Sequence, residues 1–264
     1  MGKRSRRGAK TDRRDAIKLA EKLYHGQLKA LYVPDELTQD LRCLIRGRVS
    51  ATKRVTGFVN EIGSILRSWG VVVESSLLTE KGKKLISECR ERLPENSLFV
   101  LDGLIEQLEM ARKHEENLTE RITELAEGDE TCRLLMSIPG VGPITAFAVR
   151  AEVGDIGRFP SAKHLVSYCG LGPGVSQSAD RLEHKGLPKA CNKVLRYLLI
   201  LRGSALANTK ADNPLKRNYF RVALRGHVNH AKVSVARKLV RIMYAMMKYK
   251  EVWDPAKAAA RCAA

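Results

Sequence analysis

Two seams of apolar residues restrict this chain more than any other feature. From Leu37, the side chains Leu41, Leu44, Val55, Phe58, Ile62 and Ile65 recur at three-and-four spacing, with Arg48 and Ala51 on the weaker rungs. A second seam follows at Leu101, Leu104, Leu108, Ala111, Leu118, Ile122 and Leu125. Residues three and four apart share one face of an α-helix, so each seam predicts a long amphipathic helix. A stripe of that length must be covered. The simplest cover for each helix is the other, in an antiparallel coiled-coil hairpin, although the same seam can serve a dimer. Gly128 and Asp129 end the second helix, and residues 69–97, interrupted by Gly70, Gly82 and Pro94, read as turn-rich. An aromatic content of 5% argues against a β-sandwich, so the expected fold class is mainly α.

Charge divides the 264 residues further. The net charge is +18, which calls for a polyanionic partner or a surface that tolerates strong self-repulsion. Residues 1–24 carry nine Lys/Arg against three acids, in a segment too short to build its own core. Residues 101–130 are the opposite, with ten acids and three Lys/Arg, and make a poor contact for a phosphate backbone. Residues 181–250 hold seventeen Lys/Arg against two acids, Glu183 and Asp212, and so carry most of the excess. Nucleic acid is expected to bind there first, on basic amphipathic helices punctuated by Arg196, Arg202, Arg221, Arg225, Arg237 and Arg241.

Other classes fall away. Six cysteines lie no closer than 22 residues apart, which excludes a CxxC zinc knuckle and a dense disulfide framework. Scattered thiols, short apolar runs and a basic start without an apolar segment behind it predict a cytoplasmic protein with no membrane partner. His227 and His230 are three apart, but no nearby Cys or carboxylate completes a metal site, and they read as surface or phosphate-contacting residues.

Three short motifs could carry chemistry. Residues 138–146, Ile-Pro-Gly-Val-Gly-Pro-Ile-Thr-Ala, read as the turn of a helix-hairpin-helix unit. Gly140 and Gly142 would let the backbone approach a phosphate closely at a helix N-terminus, and Pro143 suits the first helical turn. The plain alternative is a Gly/Pro turn between packed helices. Thr11 can cap a helix whose first turn holds Asp12 and Asp15, three apart and on one face. Two carboxylates are a poor site alone, because Mg²⁺ takes six oxygens. Ser176 and Ser178 lie in a polar stretch beside Arg181, Lys185, Lys189 and Lys193, where a serine could attack phosphorus or simply cap a turn.

Taken in order, the 10–16 motif Lys-Thr-Asp-Arg-Arg-Asp-Ala, the helical hairpin, the 137–143 turn, and residues 159–173 followed by Ser178 resemble a known family. It is the insertion-sequence transposases that pair a RuvC-like DEDD domain with a serine-bearing C-terminal domain, a family that includes the pilin-gene invertases and RNA-guided bridge recombinases. The resemblance covers almost the whole chain. It implies that Asp12 and Asp15 are the last two carboxylates of the DEDD set and bind Mg²⁺, and that Ser178 is the nucleophile that links covalently to a DNA end. Ser176 is the alternative, and Ala179 departs from the glycine common in the family at that position.

The resemblance also implies a division into a remnant helix of the RuvC-like domain at 1–33, the coiled-coil hairpin at 34–130, and a helical C-terminal domain at 131–264. Gly140, Gly142, Arg181, Lys185, Lys189, Lys193 and Arg196 are its expected nucleic-acid contacts. Double-stranded DNA is the implied partner, a guide RNA a second one, and a homodimer or tetramer the implied assembly. The first Asp and the Glu of the DEDD set have no counterpart in the nine residues before Lys10. The chain is therefore expected to be a truncated or decayed member that does not catalyse strand exchange alone. The competing readings are a DNA-binding protein without chemistry and a structured-RNA-binding factor.

Overall fold

The computed structural model describes residues 12–28, 31–73, 76–172, 174–178, 181–209 and 213–263, with backbone alone at 175–178, 181–185, 207 and 261–263. Residues 1–35 and 36–264 form two compact units. The first contains α1 (Asp12–Tyr24), whose leading turn carries Asp12 and Asp15 and which buries none of its residues. Lys10 and the expected cap Thr11 lie outside the described residues.

The second unit begins with α2 (Glu36–Ser68) and α4 (Glu95–Gly128), joined through α3 (Glu80–Cys89). The two long helices run antiparallel: Gly47 faces Leu118, Thr52 Oγ1 donates to Glu115 Oε1 at 2.7 Å, and Trp69 Nε1 donates to Ser97 Oγ at 3.1 Å. The buried stripe of α2 is Ile45, Val49, Val55, Ile62 and Leu66, with Leu41, Leu44, Phe58 and Ile65 flanking it half-buried. Leu101, Leu108, Ile122 and Ala126 of α4 meet that stripe. Residues 76–97 hold more helix than their glycine and proline suggest. Thr79 Oγ1 accepts from Gly82 N at 3.2 Å and starts α3, which tucks Ile86 and Cys89 under the far end of the pair.

Asp129 ends α4 and starts α5 (Glu130–Met136), its Oδ1 accepting from Cys132 N at 2.8 Å. Next comes α6 (Pro143–Val153), with Pro143 in its first turn. Residues 145–149 and 151–153 of α6 are all buried, as expected of a helix apolar on every side. Around it lie α7 (Ala162–Tyr168), α8 (Lys193–Ala207), α9 (Pro214–Ala223), α10 (Val228–Tyr249) and α11 (Pro255–Ala263). One core cluster includes Ile45, Val49, Ile122 and Ala126 of the long helices together with Phe147, Leu195 and Met243, so apolar packing is continuous across residue 130.

The polar stretch around Ser178 differs from the loop its composition suggests. It is a two-stranded antiparallel hairpin, β1 (Gly174–Ser178) and β2 (Arg181–Lys185). Val175, Gln177, Leu182 and His184 alternate with small or charged residues over only five positions per strand, a period too short to stand out in the sequence. Among the described residues no helix is long and apolar enough to cross a membrane.

Candidate nucleic-acid interface

The 137–142 turn joins α5 to α6 tightly. Gly140 has φ +83°, a left-handed conformation that disfavours side chains, and a Cβ there would sit 2.9 Å from Leu206 Cδ2 of α8. Its lack of a side chain therefore serves internal packing. Gly142 is the opposite case: a Cβ there would meet nothing within 4 Å, and it starts α6 without a side-chain cap. Of the two glycines, Gly142 leaves room for an anion at the positive end of the helix.

Behind this turn, α6 holds Glu152 with none of its surface exposed. Arg46 grips the carboxylate with two bonds, Nε to Oε1 at 2.7 Å and an η nitrogen to Oε2 at 2.9 Å, and the Glu152 bond is the main reason the Arg46 pKa lies above its usual value. Asn192 Nδ2 donates to Oε2 at 2.7 Å. The Glu152 carbonyl accepts from Arg42 at 2.9 Å and from the Tyr168 hydroxyl at 3.1 Å. Asn192 also caps α8, its Oδ1 accepting from Leu195 N at 3.0 Å, while its own N–H donates to Tyr168 O at 3.0 Å. One buried carboxylate thus ties α2 to the start of α8, just past the β-hairpin.

The hairpin register pairs Gly174 with Lys185, Ser176 with Glu183 and Ser178 with Arg181. Ser178 and Arg181 form the closing pair at the tip, and Gly174 N donates to Gly186 O at 3.1 Å at the base. The side chains of Ser176, Ser178, Arg181 and Lys185 lie outside the described residues. Beyond the hairpin, Lys189 and Lys193 are exposed. Arg196 turns inward and donates to the Pro188 carbonyl beside Gly170 and Cys191, with its Nε buried and unpaired. Arg237 of α10 likewise donates to the Leu171 carbonyl, and burial together with neighbouring Arg241 lowers its pKa. Burial lowers that of Arg202 as well. Arg221, Arg225 and Arg241 remain exposed.

On α1 Asp12 is exposed and Asp15 half-buried, and among the described residues no group of three or more His, Cys, Asp or Glu is placed to hold a metal. Two carboxylates supply at most part of an octahedral oxygen shell, so these residues do not by themselves fit an ion. Glu152, Arg42 and Asn192 were not among the expected site residues. The one signal for Glu152 was an acid inside the apolar run Ile-Thr-Ala-Phe-Ala-Val-Arg-Ala-Glu-Val, where a charge needs a partner.

Comparison with known proteins gives this helical, strongly basic chain a family. Residues 132–221 match the transposase IS116/IS110/IS902 family, and residues 1–70 match the DEDD transposase domain of IS110. The chain belongs to this family of insertion-sequence transposases. It is 28% identical over 248 residues to the transposase for insertion sequence element IS1111A of Coxiella burnetii, covering 92% of this chain and 68% of that protein. It is 25% identical over 289 residues to the insertion element IS110 43.6 kDa protein of Streptomyces coelicolor, covering 91% and 71%. The pilin gene-inverting protein of Moraxella bovis is 30% identical over 124 residues, 46% of this chain and 38% of that protein. The chain thus spans about two thirds of the first two relatives and well under half of the third. A DEDD domain implies a divalent metal ion.

Proposed function

We propose that this chain is the DNA-binding part of an insertion-sequence transposase or site-specific recombinase, gripping duplex DNA with the 181–250 region and presenting Ser178 to a phosphate. The observation that carries the reading is the charge of that region, seventeen Lys/Arg against two acids, on helices whose Arg221, Arg225 and Arg241 face solvent. Gly142 adds an uncapped helix start. In the covalent step the Ser178 hydroxyl oxygen bonds to phosphorus and the bond from phosphorus to the leaving strand oxygen breaks. The serine proton is lost and the leaving oxygen gains one. Attack by another strand's hydroxyl reverses the exchange, so rejoining needs no ATP.

Mg²⁺ is the ion that suits Asp12 and Asp15, because it takes carboxylate and phosphate oxygens, but this pair does not complete its shell. Alone, the chain is therefore expected to bind DNA without cleaving it. Assembly as a dimer or tetramer belongs to the same reading, supported by Phe99, Val100 and Met110, exposed on α4. A guide RNA would compete for the same cationic surface.

The test is a titration of labelled duplex DNA at several salt concentrations, followed by denaturing electrophoresis for a covalent adduct. Affinity should fall steeply as salt rises. An adduct that persists in the Ser178→Ala variant, or duplex affinity independent of salt, would sink the proposal. Preference for structured RNA over duplex DNA would favour the RNA-binding reading instead.

A further inference from the structure

At the base of the β-hairpin, within the basic 181–250 region, lies a recess of about 610 Å³. Gly186 and Leu187, directly after β2, form one wall, and the first turns of α10 form the other. Leu187, Val222 of α9 and Val233 line it with apolar surface. Asn229, His230 and Ser234 bring hydrogen-bonding groups to it, and Arg237 closes it with a cation. Asn229, Val233 and Arg237 lie four residues apart along α10 and so stack on a single face.

We propose that this recess takes one unstacked nucleotide of a DNA strand, with its base between the apolar walls and its phosphate toward Arg237. The inference rests on the reading of the chain as a DNA-binding transposase part. Its volume falls in the range of small-molecule sites, roughly 300–1,000 Å³. Flipped bases are held in such slots by apolar faces and edge hydrogen bonds, and Asn, His and Ser supply both donors and acceptors. Arg237 is anchored through Nε to the Leu171 carbonyl, which orients its guanidinium, and its charge is opposed by burial and by Arg241, so an anion would relieve it. The start of α10 adds to this: His227 gives it no side-chain cap, leaving the first amides for a phosphate.

The position relative to Ser178 gives the recess a purpose. Gly174 and Gly186 close the hairpin base and Ser178 sits at its tip, four residue steps away, or about 13 Å at about 3.3 Å per step. That span matches about four stacked nucleotides at about 3.4 Å each. A base held in the recess would fix the strand's register a few nucleotides from the phosphate offered to the serine, and would favour DNA already distorted there.

The experiment compares two duplexes of one sequence, fully paired or with a single bulged 2-aminopurine, at fixed salt with the full chain. The bulged duplex should bind about tenfold more tightly, the worth of roughly one base–side-chain stack, and its fluorescence should change on binding. In Asn229→Trp, which fills the recess from an exposed rim position, the ratio should fall to about one, and Arg237→Gln should reduce it while circular dichroism checks the fold. Equal affinity of the native chain for both duplexes, or an unchanged ratio in Asn229→Trp, overturns the proposal and leaves the broader reading intact. Failure to bind either duplex overturns both. Binding of free deoxyadenosine monophosphate without any preference between the duplexes would assign the recess to a mononucleotide and overturn its assignment to a strand.

Discussion

In the α2/α4 pair, basic and acidic side chains answer one another. Arg48 meets Glu115 at 3.2 Å, Arg90, directly after α3, reaches Asp102 of α4 at 2.6 Å, and Arg112 and Arg121 pair with Glu116 and Glu124 along α4. The 181–250 region has no such supply, because two acids cannot neutralise seventeen cations. Arg196 and Arg237 turn instead to backbone carbonyls, and others stay in solvent. Exposed ion pairs contribute little to stability, at most about 1 kcal/mol each. The hairpin's pairs therefore cancel charge that would otherwise meet DNA, whereas the C-terminal cations await an external anion. The exception is Glu152, an acid that does meet its cations, but inside the core.

The strongest test of that contrast is Glu152→Ala. It removes the carboxylate that Arg46 grips, that lies 3.7 Å from buried Arg42 and that accepts from Asn192 Nδ2, and should cost about 3–5 kcal/mol in urea unfolding, since breaking a buried pair leaves charge uncompensated. A loss below about 1 kcal/mol would make it equivalent to a surface pair. Next in size, Arg225→Glu with Arg241→Glu should weaken duplex binding by more than about tenfold at low salt, whereas Glu116→Lys on α4 should change it less than about twofold. Equal effects would erase the distinction between the two regions.

A smaller effect separates the two glycines. Gly140→Ala should destabilise by about 1–3 kcal/mol, from its positive φ and the Leu206 contact. Gly142→Ala should leave thermal stability within about 0.5 kcal/mol, because the site is open. A weakened grip on DNA in Gly142→Ala alone would place phosphate at the α6 start. The smallest expected effect is at high pH. Burial pushes the Cys169 thiol up to about 12, from a usual value of 9.0, so its neutral form is favoured in the folded chain. The resulting stability is fully present below about pH 9 and is lost as pH rises toward 12. Cys169→Ser should flatten that alkaline loss, and in the native chain exposed Cys43 should alkylate long before Cys169.

Much of the scaffold was legible from spacing. The two seams gave helices whose ends fall close to the expected ones, Gly128 and Asp129 mark a real break, and Pro143 opens α6. These features depend on neighbours within one or two turns. The burial phase of α2 was less legible, since Leu41 and Leu44 proved half-buried while Ile45 and Val49 are buried, a choice set by where α4 and α6 press. Of the candidate site, the charge and the two glycines could be read, but their separate uses could not.

The amino-acid order alone determined the helical class, the family and the excess of positive charge, because periodicity, motif order and net charge are properties of the chain itself. Only the tertiary structure decided that Gly140 packs against Leu206, that Arg196 faces inward, and that Glu152 joins side chains more than a hundred residues away on α2 to the cap of α8. Those outcomes depend on which surfaces meet, and a contact between distant residues leaves no period in the sequence for a local pattern to reveal.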